Sequence, residues 1–169
     1  MKRASILLAL LFAAGCSSPD EGARVSAGTL PDERDPKFAA FSSALVYGCG
    51  TLDCHGNHYR NLRLYGYGGL RASDVRSDFG NPTLPSPAEM ANNYQALMGL
   101  EPEKMAEVVR DGGRNPERLT LVRKARATEN HKGGPVVVAG DDLDRCLTSW
   151  LTGQIDDGAC RASVPWKFP

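Results

Sequence analysis

The chain is poor in histidine, in aromatic residues and in net charge. Its 169 residues include three His, and 20 Lys and Arg balance 20 Asp and Glu. It has no basic block of the kind that binds nucleic acid, so we expect no nucleic-acid partner. No internal repeat is visible, and no apolar stretch after the N-terminal one could span a bilayer. Because no paired acid and base or activated nucleophile stands out, we do not expect an enzyme.

The N-terminal stretch MKRASILLALLFAAGC resembles a bacterial lipoprotein signal. Lys2 and Arg3 precede an apolar run that is too short to cross a bilayer but is typical of a secretory signal. We therefore predict that residues 1–15 are a signal peptide and that Cys16 carries the lipid. The alternative is an ordinary signal peptide that happens to be followed by a cysteine.

The residues that follow Cys16 are polar and contain almost no large apolar side chain. Such a composition predicts a flexible tether over 16–35, followed by one folded domain with a C-terminal tail over 36–169. We expect the protein to be exported and anchored to a bacterial membrane by its lipid, on the periplasmic face or the cell surface. The residue after Cys16 is Ser17 rather than the Asp that commonly retains lipoproteins at the inner membrane, which favours the outer membrane.

Hydrophobic spacing and end signals predict a mostly α fold with long loops. Ser86, Pro87 and Glu89 form the N-terminal signature of one helix. The stretch that precedes it, NLRLYGYGGLRASDVRSDFGNPTLPSP, is rich in Gly and Pro and predicts a loop. The other predicted helical segments run from residue 35 to 48, from 102 to 111, briefly from 116, and from 141 to 152.

Export changes the meaning of the cysteines, because free thiols are uncommon outside the cytoplasm. With Cys16 lipidated, four cysteines remain. Cys146 lies on the buried face of the last predicted helix, and Cys160 follows in the polar stretch QIDDGAC. We predict a Cys146–Cys160 disulfide; the alternative is that Cys160 pairs with Cys49 or Cys54.

The stretch YGCGTLDCHGNHY brings together two cysteines and two histidines. Zinc could use Cys49, Cys54, His55 and His58, but adjacent side chains such as Cys54 and His55 point in different directions. A simple Cys49–Cys54 disulfide is a second possibility. Haem c is the third, since two thiols followed directly by a histidine is the order that covalent haem attachment requires. Four residues separate the cysteines here instead of the usual two.

Three segments together resemble a known family: CGTLDCHG with NLRLYGYGGL, then LTLVRKARATENHKGG, and finally DDLDRCLTSWLTG. They are similar to the cytochrome-c-like haem domains of planctomycete-type surface and periplasmic proteins, which carry a Cys-x4-Cys-His motif. Lys132 interrupts the His-Gly-Gly element of that family. The resemblance implies a cytochrome-c-like fold, one covalent haem c on Cys49 and Cys54 with His55 as an iron ligand, and single-electron transfer to a redox partner protein.

A six-coordinate iron needs a second axial ligand. We expect His131, because it precedes two glycines that allow the backbone to approach a flat macrocycle. The other candidates are His58, Met90, Met98 and Met105, and an open sixth position is a further alternative. His58 is too near the attachment site to reach the other face of the ring easily, and a Met on an apolar helix face is usually core filler. Four arginines of the preceding loop could pair with haem propionates: Arg60, Arg63, Arg71 and Arg76. The rival function is that of a lipoprotein without cofactor, with Cys49–Cys54 and Cys146–Cys160 disulfides, acting as a structural or interaction module.

Overall fold

The computed structural model describes residues 30–32, 34–72 and 84–165. Several predictions lie outside these residues: the signal peptide, the lipidated Cys16, most of the tether, Arg76, and the tail with Trp166 and Phe168. Within the described residues the regular structure is helical and contains no strand, so the mostly α prediction is confirmed. Tyr65 and Leu70 form an isolated parallel bridge.

Six α-helices and one short 3-10 helix make up this part of the chain. The helices are α1 (Phe38–Cys49), α2 (Pro87–Met98), α3 (Pro102–Arg110), a 3-10 helix (Pro116–Arg118), α4 (Thr120–Ala125), α5 (Asp142–Leu151) and α6 (Asp157–Ala162). Two connections are long. We call residues 50–72 the His55 loop and residues 126–141 the His131 loop.

Helices α1 and α5 form the centre of the hydrophobic core. Trp150 stacks on Phe41 with ring centroids 4.6 Å apart. At the other end of the pair, a methyl group added to Gly48 would lie 2.7 Å from Leu143 Cδ2. Because the end of α1 contacts the start of α5, the two helices run in opposite directions. Both loops therefore emerge at the same end of this pair, the His55 loop after α1 and the His131 loop before α5.

The start of α2 follows the sequence signature closely. Ser86 Oγ accepts a hydrogen bond from the Glu89 N–H, and the Glu89 carboxylate accepts one from the Ser86 N–H at 2.9 Å. Both ends of this capping box satisfy N–H groups that the first turn of a helix leaves without partners. The predicted start of α2 is confirmed.

The folded part begins before residue 36. Leu30 packs against the core, and the Tyr94 hydroxyl donates to the Pro31 carbonyl at 2.8 Å. Leu30 and Pro31, which fall within the predicted tether over 16–35, thus contact the folded domain.

The segment after α5 is a helix that the sequence did not predict. Asp156 caps α6 by accepting from the Ala159 N–H, and Ile155, Ala159 and Cys160 are buried. Gly158 and the two adjacent aspartates, Asp156 and Asp157, allow a turn at this point. The Asp156 cap and the burial of the apolar side chains stabilise a helix instead. The structure joins Cys160 to Cys146, with Cα atoms 4.7 Å apart. This is the pairing that we expected.

Candidate functional site

The two cysteines of the motif lie at the junction of α1 and the His55 loop. Cys49 is the last residue of α1, and the chain then turns back on itself. The Cys54 N–H donates to the Thr51 carbonyl, and the His55 N–H donates to the Cys49 carbonyl, both at 2.9 Å. The turn thus returns Cys54 and His55 to the end of the helix beside Cys49.

Glycines pack this turn so tightly that side chains are excluded. A Cβ atom at Gly56 would lie 1.9 Å from the Gly50 carbonyl oxygen, and one at Gly69 would lie 2.0 Å from the same atom. Both contacts are with the backbone, so no side-chain movement could relieve them. The glycines of the His55 loop therefore hold three backbone segments together around the motif.

Helix α2 fixes the second half of the His55 loop. The Asn93 side chain accepts from the Tyr65 N–H at 2.7 Å and donates to the Tyr65 carbonyl at 2.9 Å. It also donates to Ser42 of α1 at 3.0 Å. Asn93 is fully buried, so one amide connects the loop to two helices.

His131 is held by its own loop. Its Nδ1 lies 3.0 Å from the Gly134 carbonyl oxygen, and the Gly134 N–H donates back to the His131 carbonyl. Gly133 contacts the imidazole directly, since a Cβ there would lie 3.3 Å from His131 Cε1. The two glycines after His131 thus shape the turn that orients the ring.

The structure brings the rings of His55 and His131 together. Their centroids are 6.0 Å apart and their planes differ by 12°. His55 Nδ1 lies 3.1 Å from the Leu62 carbonyl oxygen, which matches the Nδ1 contact of His131. Because a carbonyl only accepts, Nδ1 must carry the proton in both rings. Each Nε2 then has a free lone pair, as in a histidine arranged to bind a metal.

The spacing of this pair fits one metal atom between two imidazoles. Two metal–nitrogen bonds of about 2 Å, with roughly 1 Å from each nitrogen to its ring centre, give a centroid separation of about 6 Å. The centroid separation of 6.0 Å is compatible with this sum. His55 and His131 are therefore the residues that would hold a haem iron.

Burial shifts the pKa values of the groups at this site. Burial lowers the pKa of His55; the hydrogen bond to Leu62 opposes this effect, and His131 and Arg60 add to it. His55 is therefore neutral at pH 7, the form that can bind a metal. Burial, and then the proximity of Cys54, raises the pKa of the Cys49 thiol to about 12. Both Cys49 and Cys54 are free thiols.

Other candidate ligands lie elsewhere. Met98 and Met105 belong to the hydrophobic core, with 6% and 1% of their surface exposed. His58 is exposed, with its ring 3.9 Å from that of Tyr59. In the described part of the chain, no three His, Cys, Asp or Glu side chains are grouped to hold a metal ion, so the four-residue zinc site is not assembled.

The arginines proposed for propionates have protein partners where they are described. Arg60 donates to the carbonyls of Asp53 and Cys54, and so it supports the motif turn. Arg63 donates to the Arg60 carbonyl. Arg71 pairs with the buried Glu89 at 2.7 Å.

Sequence reasoning did not identify the buried polar residues that position both loops. Asn93, Glu89 and Asp144 each lie on the buried side of a helix. The signal was present in the sequence, because a polar residue in an apolar helix stripe needs a buried partner. The partners themselves lie far along the chain and could not be read from spacing.

None of the helices in the described residues is long and apolar enough to cross a membrane. Comparison with protein-family models, with curated proteins and with solved structures finds no match to this chain.

Proposed function

We propose that this protein is a lipid-anchored, cytochrome-c-like electron carrier that binds one covalent haem c. One observation carries the proposal: the ring centroids of His55 and His131 lie 6.0 Å apart, and each ring has its Nδ1 within hydrogen-bond distance of a backbone carbonyl. Two such histidines from separate loops, beside two free cysteines, match what a bis-imidazole haem c requires. The cofactor, when bound, supplies an iron that gains and loses one electron.

The residues of the chain have distinct roles in this proposal. Cys49 and Cys54 would hold the haem covalently; the glycine turn brings the backbone of His55 back to Cys49, where its N–H donates to the Cys49 carbonyl. His55 and His131 would be the two residues that bind the iron. The Leu62 and Gly134 carbonyls fix the orientation of the two rings and increase the basicity of each Nε2. Two imidazoles give a lower reduction potential than an imidazole with a thioether, so we expect a low-potential carrier.

The cellular setting follows from the N-terminal sequence. We propose export, lipidation at Cys16 and attachment to a membrane, with a redox protein as the partner and no enzymatic activity of its own. Haem c attachment takes place outside the cytoplasm, as disulfide formation does, so the Cys146–Cys160 bond agrees with this location.

A second function is supported by a specific observation. The described helices enclose a continuous hydrophobic core with an internal disulfide, as expected of a domain that is stable without a cofactor. In that case the protein would be a disulfide-stapled structural or interaction module. This alternative requires Cys49 and Cys54 to pair, whereas the structure has both as free thiols.

Expression of the full chain in a host with cytochrome c maturation tests the proposal. We expect a red protein whose colour stays with the polypeptide after acid–acetone extraction, and whose denatured mass includes one haem. Replacing Cys49 and Cys54 with Ala should abolish the attachment. Replacing Cys146 and Cys160 with Ser is the matched control and should leave haem attached. A colourless wild-type protein with a Cys49–Cys54 disulfide would establish the alternative.

The axial ligand is tested separately, with the third histidine as the control. His131→Ala should keep the haem attached but convert the iron from low spin to high spin. His58→Ala should leave the spectrum unchanged, because His58 is exposed and its ring contacts that of Tyr59. An unchanged spectrum in His131→Ala would transfer the sixth-ligand assignment to Met98 or Met105.

A further inference from the structure

Asp144 is a buried carboxylate in the first turn of α5. Only 4% of its surface is exposed. One oxygen accepts from Arg126 Nε at 2.8 Å, and the other accepts from Arg126 Nη2 at 2.9 Å and from the Gly140 N–H at 2.7 Å. Charge-assisted, two-point bonds of this kind are strong and geometrically specific.

The partners of Asp144 lie at the two ends of the His131 loop. Arg126 is the first residue of this loop and Gly140 lies near its end. Asp141 continues the closure, since its carboxylate accepts from the N–H groups of Asp144 and Val138. The Asp144 carboxylate thus joins the two ends of the loop that carries His131, next to the bonds that the Val136 and Val137 N–H groups donate to the Ala125 carbonyl.

A buried ion pair is weak evidence for stability, because removing both charges from water costs about as much as their attraction returns. The Arg126–Asp144 ion pair instead fixes geometry, because residues at both ends of the His131 loop must bind the same two carboxylate oxygens. The His131 ring lies beside the ring of His55, and its Nδ1 is within hydrogen-bond distance of the Gly134 carbonyl of its own loop. The position of the imidazole therefore depends on how the loop is closed.

We propose that Asp144 is the positioning residue for His131 as an axial ligand. The inference rests on the proposed haem function and deepens it. Without the carboxylate, Arg126 and Gly140 lose their common acceptor and the loop opens. His131 then leaves the iron more often, whereas His55 and the covalent attachment are unaffected.

Glu89 offers a matched control, since it is built in the same way on α2. It is fully buried and accepts from Arg71, from the Ala72 N–H and from the Ser86 N–H. Arg71 and Ala72 end the His55 loop, so Glu89 holds the end of that loop, whereas Asp144 holds the ends of the His131 loop. Glu89→Gln and Asp144→Asn therefore remove the same charge from two different loops, and only Asp144→Asn should affect His131.

Cyanide binding to the ferric haem protein measures how readily His131 leaves the iron. We expect Asp144→Asn to speed cyanide binding by at least about tenfold and to raise the high-spin fraction, with Glu89→Gln close to wild type. Arg126→Lys, which keeps the charge but loses the two-point bond, should be intermediate. A rate for Asp144→Asn equal to wild type, or an equal increase in Glu89→Gln, would overturn the inference.

The haem-free chain provides an independent measurement. Backbone hydrogen exchange over residues 126–141 should accelerate in Asp144→Asn, while residues 50–72 stay protected. If the wild type carries no haem, the proposed function fails, and this exchange pattern still decides whether Asp144 closes the loop. Unchanged exchange in the His131 loop would contradict the role of Asp144 whatever the cofactor.

Discussion

The two loops that present the facing histidines are held in different ways. The His55 loop is fixed along its length by glycine backbone contacts, by Arg60 and by the buried Asn93. The His131 loop is held at its ends, where Asp144 binds Arg126 and Gly140, and by the bonds from the Val136 and Val137 N–H groups to the Ala125 carbonyl. One histidine is therefore part of a turn packed by glycine backbone, whereas the other is carried on a loop that is held by hydrogen bonds and ion pairs.

This difference suggests a division of roles. In the proposed haem function, the side that carries Cys49, Cys54 and His55 must be rigid, because covalent attachment would require two thiols and an imidazole in a fixed arrangement. The side that carries His131 needs only to present one nitrogen. Changes in the His55 loop should therefore disturb folding and attachment, while changes in the His131 loop should alter the ligation alone.

The largest difference between the two loops is expected when one methyl group is added to a glycine of each. Gly56→Ala would place a methyl group 1.9 Å from the Gly50 carbonyl oxygen, which is backbone and cannot move aside. We expect it to cost at least about 3 kcal/mol of unfolding free energy and to prevent haem attachment. Gly133→Ala meets His131 Cε1 at 3.3 Å and should cost less than about 1 kcal/mol, while changing the spin state. Urea unfolding of the haem-free protein measures both effects. If both variants are as stable as the wild type, the proposed difference between the two loops is wrong.

The disulfide lies outside both loops and should weaken the domain without favouring either. Replacing Cys146 and Cys160 with Ser opens a closure with a sequence separation of 14. The expected loss is about 3 kcal/mol in the chain-entropy account. Urea unfolding with and without reductant measures it, and the single Cys49→Ser variant is the control. Non-reducing peptide mapping that links Cys160 to Cys49 or Cys54 would contradict the pairing.

Removing the buried amide should loosen the His55 loop alone. Asn93→Ala leaves the Tyr65 N–H and carbonyl without their partner, and the expected cost is about 2 kcal/mol. Asn92→Ala, an exposed neighbour on α2, is the control and should be close to neutral. Hydrogen exchange should increase near Tyr65, with no change around His131. Equal loosening of both loops would mean that they are not held independently.

The smallest effect is expected at the start of the His131 loop. Ala127 has a φ of 52°, a left-handed conformation that favours glycine. Ala127→Gly should therefore stabilise the haem-free protein by about 0.5 kcal/mol after the added chain entropy is subtracted. Gly134→Ala, at φ 70° with nothing within 4 Å of the added methyl, is the opposite test and should destabilise by about 1 kcal/mol. A lower melting temperature for Ala127→Gly, together with a higher one for Gly134→Ala, would contradict the backbone argument.

The elements with local signals were predictable from the sequence. Ser86, Pro87 and Glu89 predict the start of α2 because the capping box involves only neighbours. The spacing from Phe38 to Leu45 predicts α1, which the structure ends at Cys49. α6 was missed, because its stability comes from burial and from a distant disulfide partner rather than from its polar sequence.

The residues of the candidate site could be proposed from the sequence, but the contacts that hold them in place could not. The order of Cys49, Cys54 and His55 is a local pattern, and His131 was chosen for the glycines beside it. The contact between the two rings and the roles of Asn93 and Asp144 depend on tertiary packing. Such contacts join positions far apart in the chain, so no periodicity or spacing could indicate them.

The most direct test of the central claim is near-infrared magnetic circular dichroism of the ferric haem protein. The energy of its charge-transfer band distinguishes an iron bound by two imidazoles from one bound by an imidazole and a thioether. We predict the bis-imidazole band in the wild type and its loss in His131→Ala. An imidazole–thioether band in the wild type, or a bis-imidazole band that survives in His131→Ala, would contradict the assignment of His55 and His131 as the two axial ligands.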